Sequence, residues 1–339
     1  MIPFYCDIQG EAYRRLIDYV VERSKFFVLA TRHSLGLSEK GERALTALKP
    51  FLIETRHMGE MMPDNAIAYS KGTYYIYKCC PEAGKVLKDT ANSLFEWQNS
   101  HLPEDLSFWD EQKRDFLYNI AHEQMAGMKL DKAEAEDLAQ SIPGLFFDRR
   151  EYKQNFELFI EDAAYHQPSK LSIEAYGIKE IPERISELKG LKDLYIFEQD
   201  VRRLPRSLFD LTTLERLTIY TADLEGISAD ISKLIHLKSL TVYCGSYHTI
   251  TDLSIMIPKS DISLTKLPPE IGKLTNLESL DICYTAISEL PVEMESLVNL
   301  RSLSLNNNML KEKPAFLSKL TNLKYINLDK NPFCEDVES

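Results

Sequence analysis

The chain contains no apolar run approaching the ~18 residues that a membrane-spanning helix needs, so no membrane association is expected. Its opening, MIPFYCDIQGE, has no basic segment leading into an apolar one, which argues against a secretory signal. Cysteine is sparse. Cys6, Cys79, Cys80, Cys244, Cys283 and Cys334 are scattered over 339 residues and form no disulfide framework, so a reducing cytoplasm is the expected compartment. With 13 Gly and 15 Pro the composition is neither collagen-like nor disordered. Basic residues are in deficit, 40 against 52 acidic for a net charge of −12, which weighs against a nucleic-acid partner.

The usual signatures of chemistry are missing as well. There is no GxGxxG, no GxxxxGK[ST] and no GxSxG, so no phosphate cradle or nucleophile elbow is expected. His122-Glu123 opens an HExxH pattern, but Ala126 stands where the second histidine would be, so the two ligands on one helical face are lacking. Cys79 and Cys80 are adjacent, whereas redox and zinc pairs are normally separated by about two residues. His57 and Glu60 read as a surface pair. His101, Glu104, Asp105 and His122 form the best polar grouping, flanking two predicted strands, and satisfied or solvated side chains are the expectation there. Trp97 and Trp109 read as core. No catalytic residue, metal site or cofactor is assigned.

What the chain does contain is 44% apolar residues and a length suited to about two domains. The second half repeats. LKDLYI at Leu191, LERLTI at Leu214, LKSLTV at Leu237, LESLDI at Leu277, LRSLSL at Leu300 and LKYINL at Leu323 are spaced 23, 23, 40, 23 and 23 residues apart. A further unit starts at Pro168, with Leu171 and Ile173 in the strand positions, giving about seven units. Alternation at Leu194 and Ile196 predicts a short strand. After Leu204-Pro205 the apolar spacing becomes three, as on one face of a short helical segment. Proline there closes the turn without wasting an N–H. Neither segment buries its apolar side alone, so the units must stack into a curved solenoid.

LTKLPPEIGKLTNLESLDI at 264–282 and LVNLRSLSLNNNMLKEKP at 297–314 resemble the leucine-rich repeat family, in its 23-residue class with LPxxIxxLxxL on the convex side. The resemblance covers 168–339 and implies a binding scaffold. The family's buried asparagine is matched by Asn308 and Asn331. Earlier units carry Tyr176, Gln199, Ala222, Gly245 and Thr285 in its place, so their turns must satisfy the backbone differently. The 40-residue interval is one unit plus 17 extra residues, leaving the fourth unit near 244 and returning near 262. Such insertions often carry binding.

Strand phase predicts an outward stripe that includes Asp193, Tyr195, Phe197, Glu198, Arg216, Tyr220, Tyr243, Asp281 and Tyr284. It also takes in Cys244, Cys283 and Ser304. Phe197, Tyr220 and Tyr243 should line up about 5 Å apart. Aromatic rings beside Asp and Arg have the composition of a protein-binding hot spot.

Residues 1–145 show no such period and read as an α/β or α+β domain. Predicted helices lie near 10–23, from Ser38, from Pro81 to about 97, and over 131–141. Predicted strands lie at 2–5, 26–32, 73–80, 105–109 and 116–122. LFEWQNSHLPEDLSFWD and FLYNIAHE resemble a small bacterial domain family of mostly uncharacterised proteins, which implies a bacterial source. Residues 146–167 should form a helical linker capping the solenoid.

The primary expectation is non-catalytic binding of a protein partner through the concave face, with 244–262 contributing at its edge. Two alternatives stand beside it: an enzyme whose N-terminal domain acts on a substrate recruited by the repeats, and an immunity-like inhibitor of a basic protein. The last strand, covered only by Phe333, also leaves room for self-association at the C-terminal repeat edge.

Overall fold

The computed structural model describes residues 1–57, 72–148, 155–250, 253–257 and 262–335. The His57–Glu60 pairing therefore lies outside the described residues, as do 149–154 of the linker and 251–252 and 258–261 of the insertion. The chain divides into two compact units, Met1–Tyr152 and Lys153–Ser339.

In the first unit seven strands form one sheet: β1 (Ile2–Pro3), β2 (Phe26–Arg32), β3 (Leu52–His57), β4 (Gly72–Lys78), β5 (Glu104–Trp109), β6 (Asp115–Ile120) and β7 (Met125–Met128). The order is β1-β7-β6-β5-β2-β4-β3, and every pairing is antiparallel. The domain is therefore α+β, because an α/β sheet would need parallel strands joined by helical crossovers. Helices α1 (Gly10–Arg23), α2 (Glu39–Leu48), α3 (Pro81–Thr90) and α4 (Lys132–Ser141) share a core with Phe27, Leu29, Leu106, Phe108 and Leu117. Val28, Ala30, Tyr74, Ile76 and Trp109 form a separate buried cluster, as alternation along the strands requires.

Local signals explain the helix limits. Ser38 accepts the Gly41 N–H at the start of α2, and Asp131 with Glu134 closes a capping box on α4. Both satisfy donors that a helix leaves unpaired. Helix α3 starts at Pro81 but stops at Thr90, short of the expected 97, because Ala91 turns extended. Leu94 and Trp97 are still buried in the core, where the Trp97 indole donates to the Tyr13 hydroxyl at 2.8 Å. Strands β3 and β7 were not foreseen. The α2 pattern runs on apolar through Pro50 to Phe51-Leu52, masking the switch to a strand.

The second unit opens with α5 (Phe156–His166), followed by a parallel seven-stranded sheet. Its strands are β8 (Lys170–Glu174), β9 (Asp193–Phe197), β10 (Arg216–Thr221), β11 (Ser239–Cys244), β14 (Ser279–Cys283), β15 (Ser302–Ser304) and β16 (Tyr325–Asn327). Between β11 and β14 the chain makes a separate antiparallel hairpin of β12 (Ser246–Ile250) and β13 (Leu253–Ile257). The solenoid sheet passes the hairpin without a break: Ser239 pairs with Ser279 and Tyr243 with Cys283. Asp223 anchors the chain on its return by accepting the Ser263 N–H at 2.7 Å and its hydroxyl at 2.9 Å.

Each strand but the last returns through a 3-10 turn on the opposite side, for example Arg206–Asp210 and Val292–Ser296. The residue just before the turn is Pro182, Pro205, Ser228, Pro268, Pro291 or Pro314, in extended conformation. Its carbonyl accepts the first i+3 bond, as Pro205 does from Leu208. Proline costs nothing here, since its φ is already correct and no N–H is required. Strand leucines and isoleucines meet the turn residues Ile185, Leu208, Ile231, Ile271 and Met294, all fully buried. At the first repeat, Phe159 of α5 stacks on Tyr176 at 5.4 Å.

Candidate functional site

Counting the leading leucine of each unit as position one, positions three, five and seven of every strand face away from the buried leucines. The parallel register places Phe197, Tyr220 and Tyr243 side by side. Their rings touch in sequence. Phe197 lies 6.0 Å from Tyr220, Tyr220 stacks on Tyr243 at 5.2 Å, and Tyr195 reaches Tyr220 at 5.7 Å. Tyr284 extends the row to Tyr243 at 5.9 Å. These separations suit favourable offset or tilted ring pairs. All five side chains are half-buried, so an aromatic band crosses four consecutive strands.

Tyr284 joins the band through an unusual backbone. It sits at position eight with φ of +58°, and Asn307 and Lys330 adopt the same left-handed conformation one and two units later. The turn is thus a property of these repeats, and only at 284 does it carry a ring. A left-handed tyrosine is costly by itself. The turn is held by Asn308, whose Oδ1 accepts the N–H and hydroxyl of Thr285 while its amide donates to Ile282 and Leu305.

Charged groups flank the rings. Asp193 and Arg216 form an ion pair at 2.8 Å, exposed enough to contribute little to stability. Asp281 is half-buried beside Tyr243 and Cys283. Burial raises its carboxyl above the ordinary value, and only the Ser279 hydroxyl opposes this. Burial likewise raises the Tyr243 hydroxyl, with the Cys283 thiol and Asp281 adding to the shift.

Glu198 does not belong to this surface, contrary to the expectation from strand phase. It is 2% exposed, and its carboxylate accepts the backbone N–H groups of Tyr176 and Gly177. Burial pushes its carboxyl up against those hydrogen bonds. Strict alternation ends at position seven, and in the second to fourth units position eight turns inward. Thr221 there donates to the Val201 carbonyl, and the buried Cys244 thiol bonds the backbone of Leu224. Glu198 thus accepts the Tyr176 N–H, the counterpart of the Thr285 N–H that Asn308 accepts in a later unit. Cys283 and Ser304, also expected outward, are buried, with the thiol donating to Asn306 at 2.9 Å.

A groove of ≈ 670 Å³ runs along the rim at the strands' N-terminal ends, lined by Lys192, Glu215, Lys238, Glu278 and Arg301 among others. Its charges neutralise one another, Lys238 with Glu215 at 2.7 Å and Arg301 with Glu278 at 3.0 Å. Asn276, Asn299 and Asn322 each donate to a carbonyl of the preceding turn. These groups stitch units together and offer a ligand little.

In the N-terminal domain the sequence grouping is partly realised. Glu104 and Asp105 are buried at the start of β5, and His122 approaches Asp105 at 4.0 Å. Arg32 bonds Glu104 at 2.5 Å and lies 3.3 Å from the His122 ring nitrogens. Asp105 also accepts the Ala121 N–H at 2.8 Å. Burial and then the Asp105 charge push the Glu104 carboxyl up, opposed by Arg32. His101 is not part of this group. It is largely exposed near Glu96. The ligand atoms of Glu104, Asp105 and His122 lie within 4.8 Å of one another, but the guanidinium already stands where a cation would sit. His122 is in a 3-10 turn, not a helix, so the HExxH geometry is absent. Cys79 is pushed up to about 12 by burial, which removes thiolate character.

Residues 275–333, within the repeating strand-and-turn region, match the family model described as Leucine rich repeat. Three solved structures are similar to the chain. The plant peptide hormone receptor RGFR1 in complex with RGF2 is 22% identical, with a TM-score of 0.41, over 50% of this chain and 26% of the receptor chain. A Leptospira interrogans leucine-rich repeat protein is 21% identical, with a TM-score of 0.26, over 50% of this chain and 57% of its own. The leucine-rich repeat domain of the type III effector XopL is 21% identical, with a TM-score of 0.39, over 59% of this chain and 64% of its own. The aligned parts span less than two thirds of each of these chains. Comparison with curated proteins gives no match. Among the described residues no helix is long and apolar enough to cross a membrane.

Proposed function

We propose that this protein binds a protein partner, without catalysis, through the concave face of its repeats. The observation that carries the reading is the unbroken ring contact from Tyr195 and Phe197 through Tyr220 and Tyr243 to Tyr284. Large rigid rings lose little conformational entropy on contact and dominate interface energetics. The partner buries this band, and Asp193, Arg216 and Asp281 set its register through polar contacts. Such a complex buries at least about 1,000 Å². On this reading the array has about seven units from residue 168, the fourth lengthened by 17 residues at 244–262, and that insertion contributes at the edge. Residues 1–145 form a separate domain, with 146–167 leading into the array. The protein acts in the cytoplasm. The test is purification of tagged full-length protein from its native lysate beside the variant carrying Phe197→Ala, Tyr220→Ala and Tyr243→Ala. A protein retained by the parent and lost by the folded variant is the expected result, and equal retention by both would refute the reading.

A second reading, chemistry in the N-terminal domain, is favoured by one observation, the convergence of Glu104, Asp105, His122 and Arg32. Buried carboxylates beside a histidine are typical of acid–base sites, although structural ion-pair networks shift pKa values in the same way. A small molecule bound by the parent and lost in His122→Ala would favour it.

A further inference from the structure

Resting on the concave-face reading, one corner of the aromatic band also specifies what the partner must bring. Asp281 carries a half-buried carboxylate, and no lysine or arginine among the described residues pairs with it. On the four strands of the aromatic band the other outward carboxylate, Asp193, is already matched by Arg216 at 2.8 Å. Among the described residues Asp281 receives a long contact of 3.4 Å from the Ser279 hydroxyl. A carboxylate removed from water without a counter-charge is unfavourable, and a cation arriving beside it recovers that loss. Tyr243 lies on the neighbouring strand, two residue pairs along from the Thr241–Asp281 pair and so on the same face. Tyr284 follows three residues after Asp281, its ring 5.9 Å from that of Tyr243 with 35° between their planes.

We propose that Asp281, Tyr243 and Tyr284 receive an arginine side chain of the protein partner. A planar guanidinium stacks on a tyrosine face and pairs with a carboxylate through two parallel N–H bonds. An ammonium has neither the plane nor the fork. The donor set does not suit a metal ion. It offers one carboxylate and a thiol, Cys283, that is kept protonated by burial and donates to Asn306. The polar half of the concave face, with Ser302 on β15, Asn306 after it and Asn327 on β16, then accommodates the backbone on either side of that arginine.

The test uses the full-length chain with N-acetyl-arginine methylamide as probe, followed by saturation-transfer NMR. The neutral citrulline analogue and the lysine analogue are compared alongside. Millimolar binding of the arginine probe is expected, weakened at least about tenfold in Asp281→Asn and by raised salt, with citrulline showing no transfer. Equal binding of citrulline, or undiminished binding by Asp281→Asn, would overturn the inference. The broader reading is separable. If the captured partner survives Asp281→Asn but is lost with Phe197→Ala, Tyr220→Ala and Tyr243→Ala, the concave face stands and the arginine falls. If the partner survives both variants, both fail.

Discussion

Glu198 and Asp193 are carboxylates five residues apart in one repeat, yet they hold opposite roles. Asp193 meets Arg216 in the open, while Glu198 lies buried with its oxygens on the Tyr176 and Gly177 N–H groups. Removing it strands two backbone donors, each worth about 1–3 kcal/mol when left unpaired. Glu198→Ala is therefore expected to lower unfolding stability by about 2–4 kcal/mol, whereas Asp193→Ala changes it by less than about 1 kcal/mol. Urea unfolding of the two variants checks this, and equal small losses would show Glu198 to be a surface group after all. Period-two alternation is decisive in a half-buried strand and set the concave phase through position seven, although Cys283 and Ser304 in that phase are buried. It failed at position eight, where the backbone either turns left-handed, as at Tyr284, or stays extended and points inward, as at Thr221. Nothing local separates those outcomes. Asparagine at the next position does not decide it either, since Ala175 and Tyr284 are left-handed although Tyr176 and Thr285 follow them.

At the scale of elements, repeat spacing was informative because each return segment repeats the same physical solution, a proline in extended conformation feeding a 3-10 turn. The 40-residue interval was legible for the same reason, since leucines resume in phase after it. The structure adds that β11 pairs with β14 as closely as β10 pairs with β11. The hairpin is therefore dispensable to the sheet. Deleting residues 246–262, 17 in all, so that the 23-residue spacing is restored, should shift the melting temperature by no more than a few degrees. A collapse of the fold on this deletion would show that the hairpin covers core. In the N-terminal domain single elements were readable wherever a cap or a proline marked them, as at Ser38, Pro81 and Asp131. The antiparallel sheet order was not readable, since pairing between β2 and β5 or β1 and β7 depends on contacts far apart in sequence. The polar group at Glu104, Asp105 and His122 could be named from its flanking strands, but Arg32, which neutralises it, arrives from β2 without a sequence cue.

For the whole molecule, a net charge of −12 and a concave carboxylate with no cationic partner among the described residues point the same way, to a partner whose contacting surface is basic. Steering by the overall field would speed its approach, while the aromatic band would supply the contact energy. The N-terminal domain stands as a separate unit with its own core. The most direct measurement of the central claim is hydroxyl-radical footprinting of the captured complex by mass spectrometry. Tyr195, Phe197, Tyr220, Tyr243 and Tyr284 should each be oxidised several-fold more slowly in the complex than in the free protein, with the exposed Tyr165 unchanged. Unaltered oxidation across that row, with protection appearing elsewhere on the chain, would contradict the account.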